Sequence, residues 1–464
     1  MNDVTRHFRK HTRAISTLCL AAALTCVSAL PAAAQSLIRD TEIEETMHDY
    51  TVPILRAAGL NPASVDIYLV NDGSLNAFVT RGQNIFLHTG LILEAETPNQ
   101  LKGVIAHEAG HIAGGHIVRS DYGNRSAYGA MLIAAGIGLA AILAGETEAG
   151  ALVLGGSQQF GVLEVLAYSR TNEAAADQYA AQYMEATGQS GEGLIKFFEK
   201  FRVQEVLSNA RRYPYFRGHP LSSQRIDALR EVVSESPYEK AVDSPEDQKR
   251  LDMTHAKLIG FLEGPQIVFS KFPASDTSDE GRYARAVAYY KSADLKNAIR
   301  EIDSLIESYP SNPYFYELKG QVLYESGRGG EAMAPIRKAL ELKPDAALFE
   351  VALAQALIET EDGPQVDEAI RLLKSALQKE PGNGFAWFQL SQAYGRINEL
   401  PLAKYATAER AFAMGNLNEA RSFARRAQED LPRNQPQWRR ASDIIVIADA
   451  QLSKKRKDRY KPKP

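Results

Sequence analysis

Thiols are almost missing from this 464-residue chain: its two cysteines, Cys19 and Cys26, both lie near the N-terminus. Downstream of them a disulfide framework, a thiolate metal site and a cysteine nucleophile are all excluded. Histidine is scarce, nine in all, so any regular spacing among histidines carries weight. Neither sign of charge dominates, with a formal net charge of −4. Residues 1–34 hold Arg6, Arg9, Lys10 and Arg13 against Asp3, so the remainder carries −7. That mild acidity excludes nucleic acid as a main partner. Hydrophobic and charged fractions of 45% and 24% are those of an ordinary globular protein, and the length suits two or three domains.

The basic start is followed by an apolar stretch, Ala14 to Leu30, and by the small-residue exit Pro31-Ala32-Ala33-Ala34. This reads as a secretory signal peptide cut after Ala34, with a retained membrane anchor as the alternative. An exported chain without cysteines fits a periplasm.

Beyond the leader the pattern is α+β. A helix is expected over Ile38–Ala58 and a strand over Ser64–Val70. A hairpin is expected from Ala77-Phe78-Val79 and Asn84–Leu87, with Asn84–Leu87 as a sheet edge. The next helix has a clear start: Thr97 at the N-cap, Pro98 at the first helical position and Gln100 closing a capping box. It is expected to reach about Val118, and a second polar helix should run from about Thr171 to Met184. Residues Ser234–Asp247, with Pro237 and Pro245, look like a domain boundary, followed by a helix over Gln248–Leu262 and a loop to Gly281.

From there the sequence repeats. Ala298/Pro310, Ala332/Pro344, Ala369/Pro381 and Ala420/Pro432 share one offset, and successive prolines stand 34, 37 and 51 residues apart. This period and grammar resemble the tetratricopeptide repeat, a stacked helix-turn-helix unit. Such arrays present a concave face to segments of other proteins. The expected division is 1–34 leader, 35–240 catalytic domain, 241–452 repeats and 453–464 basic tail. That tail is a solvated frayed end, or else a contact for anionic lipid or an acidic partner.

The chemistry centres on His107-Glu108-Ala109-Gly110-His111. Helical positions four apart point the same way, so two imidazoles can bind one Zn2+, and Glu108 can reach a water on it. A three-ligand catalytic site needs one more donor. The best candidate is Glu173, near the start of the second helix, with Asp177 one turn on to accept the free N–H of a ligating histidine. His116 falls 140° from the ligand face at 100° per residue and reads as structural. His219-Pro220 follows an aromatic loop, with Arg225 shortly after.

Ala127–Gly145 holds nineteen residues without a charge, close to the length of a membrane span. His111 and Glu173 on one metal would have to lie on one side of any membrane. A return crossing would carry Gln158, Gln159 and Glu164. The favoured reading for 127–156 is a helical hairpin packed on the protein or resting on a membrane surface, with a spanning pair as the alternative.

In order along the chain stand Asn76-Ala77-Phe78, Thr89-Gly90-Leu91, the His107–His111 motif, Asn172-Glu173 with Asp177, and His219-Pro220 with Arg225. Together they resemble the HtpX/CAAX-protease type of gluzincin, over about residues 36–450 once the repeat tail is included. The resemblance implies a mostly helical zinc-protease domain with a small sheet, followed by an all-α repeat solenoid. It implies one Zn2+ per chain held by His107, His111 and Glu173, with Glu108 as catalytic base. It also implies His219 near the metal, either donating to the oxyanion or ligating zinc in place of water, and Arg225 orienting the site. The activity implied is a periplasmic endopeptidase with chaperone character. Its implied clients are unfolded or misassembled outer-membrane proteins, and its implied partner, through the repeats, is the barrel-assembly machinery. The rival readings are a repeat scaffold with a dormant zinc site, and a membrane-embedded protease. Redox control through cysteines in the repeats does not carry over, because none is present.

Overall fold

The structure, a computed structural model, describes residues 37–80, 83–116, 170–207, 219, 222–359 and 363–459. The leader, the apolar stretch at 127–156 and the last residues of the tail lie outside that set. No helix of the described residues is long and apolar enough to cross a membrane.

The first expected helix starts later than its apolar pattern suggests. Leu37–Ile38 form a short strand, β1, and helix α1 runs over Thr41–Ala57. Asp40 sets that start, since its carboxylate accepts from the Ile43 amide as an N-cap. Pro62–Ser64 form a 3-10 turn, so the next strand, β2, is confined to Ile67–Val70. The hairpin forms as β3 (Ala77–Thr80) and β4 (Asn84–His88), antiparallel, with Ala77 opposite Leu87 and Thr80 opposite Asn84. The sheet order is β1-β2-β4-β3, with β2 and β4 parallel. Strand β4 is therefore interior, and Asn84–Leu87 is not the edge expected from sequence. Among the described residues, the outermost strand on that side is β3. Tyr68, Phe86 and Phe78 stack across the three strands with centroids 5.0 and 4.9 Å apart.

Helix α2 (Thr89–Glu94) leads into α3 (Pro98–Ala113), the helix of the histidine motif. Thr97 caps α3 by accepting from the Gln100 amide. Gln100 reaches back to the Glu96 amide at 2.9 Å, one residue before the cap. Nearly every residue from Pro98 to His111 is buried, which explains why the helix lacks a polar face. Leu101, Val104 and Ile105 are fully buried, each worth roughly 1.5–3 kcal/mol. The helix stops at Ala113 rather than Val118, because Gly115 turns left-handed (φ 66°).

Around α3 pack α1, strand β3, the helical segment at 170–186 (α4) and α5 (Glu192–Leu207). Helix α6 (Ser223–Glu235) closes on α5. Helix α7 begins at Pro245, three residues before its expected start, with Ser244 as N-cap, and runs to Leu262. Leu251 and Leu258 enter the same core as α3, whereas Met253, Ala256 and Ile259 enter the next one. The expected loop that follows contains a short helix, α8 (Pro265–Lys271).

The repeats are helix pairs: α9 (Asp279–Lys291) with α10 (Leu295–Ser308), α11 (Pro313–Glu325) with α12 (Gly329–Leu342), and α13 (Ala347–Ile358) with α14 (Gly363–Lys379). Then come α15 (Gly384–Arg396), α16 (Leu400–Ala413), α17 (Leu417–Asp430) and α18 (Pro436–Arg459). Ala298, Ala332, Ala369 and Ala420 are all completely buried, as close helix approach requires. Between Pro381 and Pro432 stand three helices instead of two, which accounts for the long 51-residue spacing. Helix α18 runs to Arg459 and so includes the start of the basic tail.

The repeats contact the first domain through α1. Lys257 on α7 is buried, 2.6 Å from Asp40 and 3.2 Å from Glu42. Tyr283 on α9 donates to Glu42 at 2.6 Å. Glu45 pairs with Tyr314 and Lys343, and Arg39 with Glu380.

Candidate metal centre

His107 and His111 are one turn apart on α3 and aim their Nε2 atoms at each other's neighbourhood, 3.1 Å apart. Helix α4 crosses α3 at Gly110. A Cβ there would stand 3.1 Å from both the Ala176 carbonyl and the Tyr179 Cβ. That close crossing sets Glu173 beside the histidines, with its two oxygens 3.4 Å from His107 Nε2 and 3.5 Å from His111 Nε2. His219 completes the group: its Nδ1 is 3.3 Å from His107 Nε2 and 3.0 Å from Glu173. One ligand atom from each of His107, His111, Glu173 and His219 lies within 4.8 Å of the others.

Donors at ~2.0–2.1 Å from a tetrahedral metal stand ~3.3–3.4 Å from one another. The observed 3.0–3.5 Å separations match that spacing. Glu108 supports the same fit. It is fully buried, and neither of its oxygens has a hydrogen-bond partner among the described residues. Unpaired buried carboxylate oxygens are rare enough to need an explanation. Here Oε1 lies 3.6 Å from His219 Nε2, at the edge of the ligand cluster.

The surrounding groups hold the ligands in place. Asp177 Oδ1 lies 3.0 Å from His107 Nδ1, close enough to favour the proton there. Arg225 grips Asp177 with two N–H donors at 2.7 and 2.8 Å, and its third nitrogen is 3.2 Å from Glu173. Phe198 lies under that guanidinium at 5.5 Å and edge-on to His107. All the residues singled out from sequence therefore converge on one place. One neighbour escaped the sequence: Phe198 has no signal in its apolar run. His116, read from sequence as structural, is outside the four-donor cluster and is buried with its Nδ1 3.0 Å from His111 Nδ1, nearer to it than helical phase implies.

Burial disfavours charge throughout the site, and the partners decide the outcome. It pushes the Glu108 carboxyl up, against the pull of His219 and His107. It works against charge on His107 too, yet Asp177 and Glu173 hold that imidazole up to about 9. Burial, then the His107 and His219 rings, push His111 down to about 2. Glu173 and Asp177 resist burial and stay below the usual carboxylate range. Hydrogen bonds from His107 and His219 hold Glu173 down, and those from Arg225 and His107 hold Asp177 down. The site thus offers ionised carboxylate beside imidazole lone pairs, a donor set for which protons and a divalent cation compete.

Residues 38–233 match the peptidase family M48. The Escherichia coli K12 beta-barrel assembly-enhancing protease is 24% identical over 402 residues, spanning 83% of this chain and 79% of that protein. The metalloprotease LoiP of the same organism is 30% identical over 178 residues, 37% of this chain and 64% of that one. Among solved structures, the tetratricopeptide protein YrrB is similar at 14% identity, covering 37% of this chain and 88% of its own, with a TM-score of 0.30. A likeness that low adds nothing to the helix pairs described above. The M48 domain and the ligand cluster make this chain a metallopeptidase by sequence and by geometry alike.

Proposed function

We propose that the protein is a periplasmic zinc endopeptidase with chaperone character, acting on unfolded or misassembled outer-membrane proteins. The observation that carries the chemistry is the four-donor cluster beside the buried Glu108 carboxylate, whose oxygens have no hydrogen-bond partner among the described residues. Zinc held by His107, His111 and Glu173 would supply a Lewis acid that brings the pKa of a coordinated water to ~7. Glu108 takes a proton from the attacking water and delivers it to the leaving amine. Burial raises its proton affinity, the direction a proton shuttle needs. An extended client segment pairs along β3, the outermost strand on that side among the described residues, which packs on α3. Asp177 and Arg225 keep the His107 ring and the Glu173 carboxylate aligned.

His219 stands where a fourth ligand would, and a protein ligand there displaces the nucleophilic water. We read it as a latch that keeps the enzyme quiet until a client displaces it. This position also favours the second reading, a repeat chaperone with its zinc site held closed. The periplasmic assignment rests on the leader sequence. The client class and the partnership of the repeats with the barrel-assembly machinery rest on likeness to the beta-barrel assembly-enhancing protease.

The test is casein cleavage by the full chain, with zinc determined on the same sample. Glu108→Gln should keep stoichiometric zinc and lose cleavage at least a thousandfold; retained cleavage refutes the base assignment. His219→Ala should raise basal cleavage, and unchanged or lowered cleavage refutes the latch.

A further inference from the structure

His116 is not needed to complete the ligand set, yet the chain goes to some trouble to bring it there. After Ala113 the backbone reverses through Gly114 and Gly115, the latter at φ 66°. A Cβ on Gly114 would sit 2.5 Å from the His116 ring, so only glycine leaves room for the ring to fold back. The result is a buried imidazole edge-on to His111, with centroids 5.0 Å apart and planes at 80°. The two Nδ1 atoms are 3.0 Å apart.

Two imidazole nitrogens at that distance form a hydrogen bond only if one carries the proton and the other offers a lone pair. His111 turns its Nε2 toward His107 and Glu173, so metal binding uses that lone pair and leaves the proton on Nδ1. His116 must then accept through its own Nδ1. We propose that His116 is a positioning residue for the metal centre, fixing the tautomer and ring plane of His111 as Asp177 does for His107. This inference rests on the zinc reading of the site. The two histidine ligands thus have outer partners of different charge, a carboxylate behind His107 and a neutral imidazole behind His111. Outer partners of this kind usually carry 10- to 100-fold in metal affinity.

The test compares His116→Phe, which keeps ring bulk and removes the acceptor, with His116→Asn, whose amide oxygen stands where Nδ1 stood. Zinc affinity of the full chain is measured by competition with a chromophoric chelator, and thermal unfolding of the metal-free proteins is followed in parallel. His116→Phe should bind zinc 10- to 100-fold more weakly, and His116→Asn within about threefold of the wild type, with similar metal-free unfolding temperatures in both. Wild-type zinc affinity in His116→Phe overturns the positioning role and leaves the metal site standing. Equal losses in both variants, tracking a lower metal-free unfolding temperature, overturn it in favour of packing alone. A wild-type chain that takes up no zinc overturns the metal-site reading and this inference with it.

Discussion

Replacing Asp177 by Asn changes almost no volume but asks one oxygen to do the work of two. Asp177 is 4% exposed, and its two oxygens together meet two Arg225 donors and the His107 Nδ1. If the Asn oxygen takes the place of Oδ1, its amide hydrogens oppose the Arg225 Nε–H. If it flips, they oppose both the second Arg225 donor and the His107 N–H. Removing one side of a buried ion pair costs about 3–5 kcal/mol. Arg225 retains Glu173 at 3.2 Å, so the lower end, about 3 kcal/mol, is expected for stability. The His107 tautomer is freed as well, which should weaken zinc by 10- to 100-fold, or about 1.4–2.7 kcal/mol. Chelator competition reads the second quantity, and urea unfolding of the metal-free chain reads the first. Asp177→Asn that binds zinc within threefold of the wild type would refute the claim that this carboxylate orients the ligand.

Two further outcomes concern the junction with the repeats. Lys257→Met strands Asp40 and Glu42 in a buried setting, and urea unfolding should show a loss of about 3–5 kcal/mol; a loss under 1 kcal/mol refutes the buried-pair account. Glu317 faces the cavity of about 390 Å³ between α1, α7 and the repeats. Burial, opposed by Lys257, pushes its carboxyl up to about 7. A raised acid favours folding below its unfolded value near 4.5, and that contribution is lost as pH rises toward 7. Discounted for its partial exposure, the effect is about 1–2 kcal/mol. Glu317→Gln should therefore flatten the pH dependence of stability between about 4.5 and 7, and an unchanged profile refutes the assignment.

Legibility in the sequence followed how local each cause is. The His107–His111 helix, its Thr97 cap and the β3–β4 hairpin follow from spacing and turn residues within a few positions, and all are present. Glu173 and Asp177 were candidates from the need for a third donor and a partner one turn on, whereas the convergence of His219 and Arg225 was legible only through the family's motif order, because spacing along the chain says nothing of where α6 packs. Strand order is non-local too. Alternation predicted a strand at Asn84–Leu87 but could not reveal that β2 would pair on its far side. The place of His116 against His111 was not legible, because helical phase does not carry past Gly114 and Gly115, where the helix has already ended. Helix α7 was readable as a helix, yet not as one that serves two cores, since both of its faces are apolar for different partners.

That shared helix imposes an order of events on a chain made from its N-terminus. All four donors at the metal centre precede residue 220. The core that braces them still waits for Leu251 and Leu258, and Asp40 and Glu42 wait for Lys257. The other face of the same helix is completed only when Tyr283 and Val287 follow. A proteolytic centre assembled in this way matures late, after the segment that leads into the repeats has emerged.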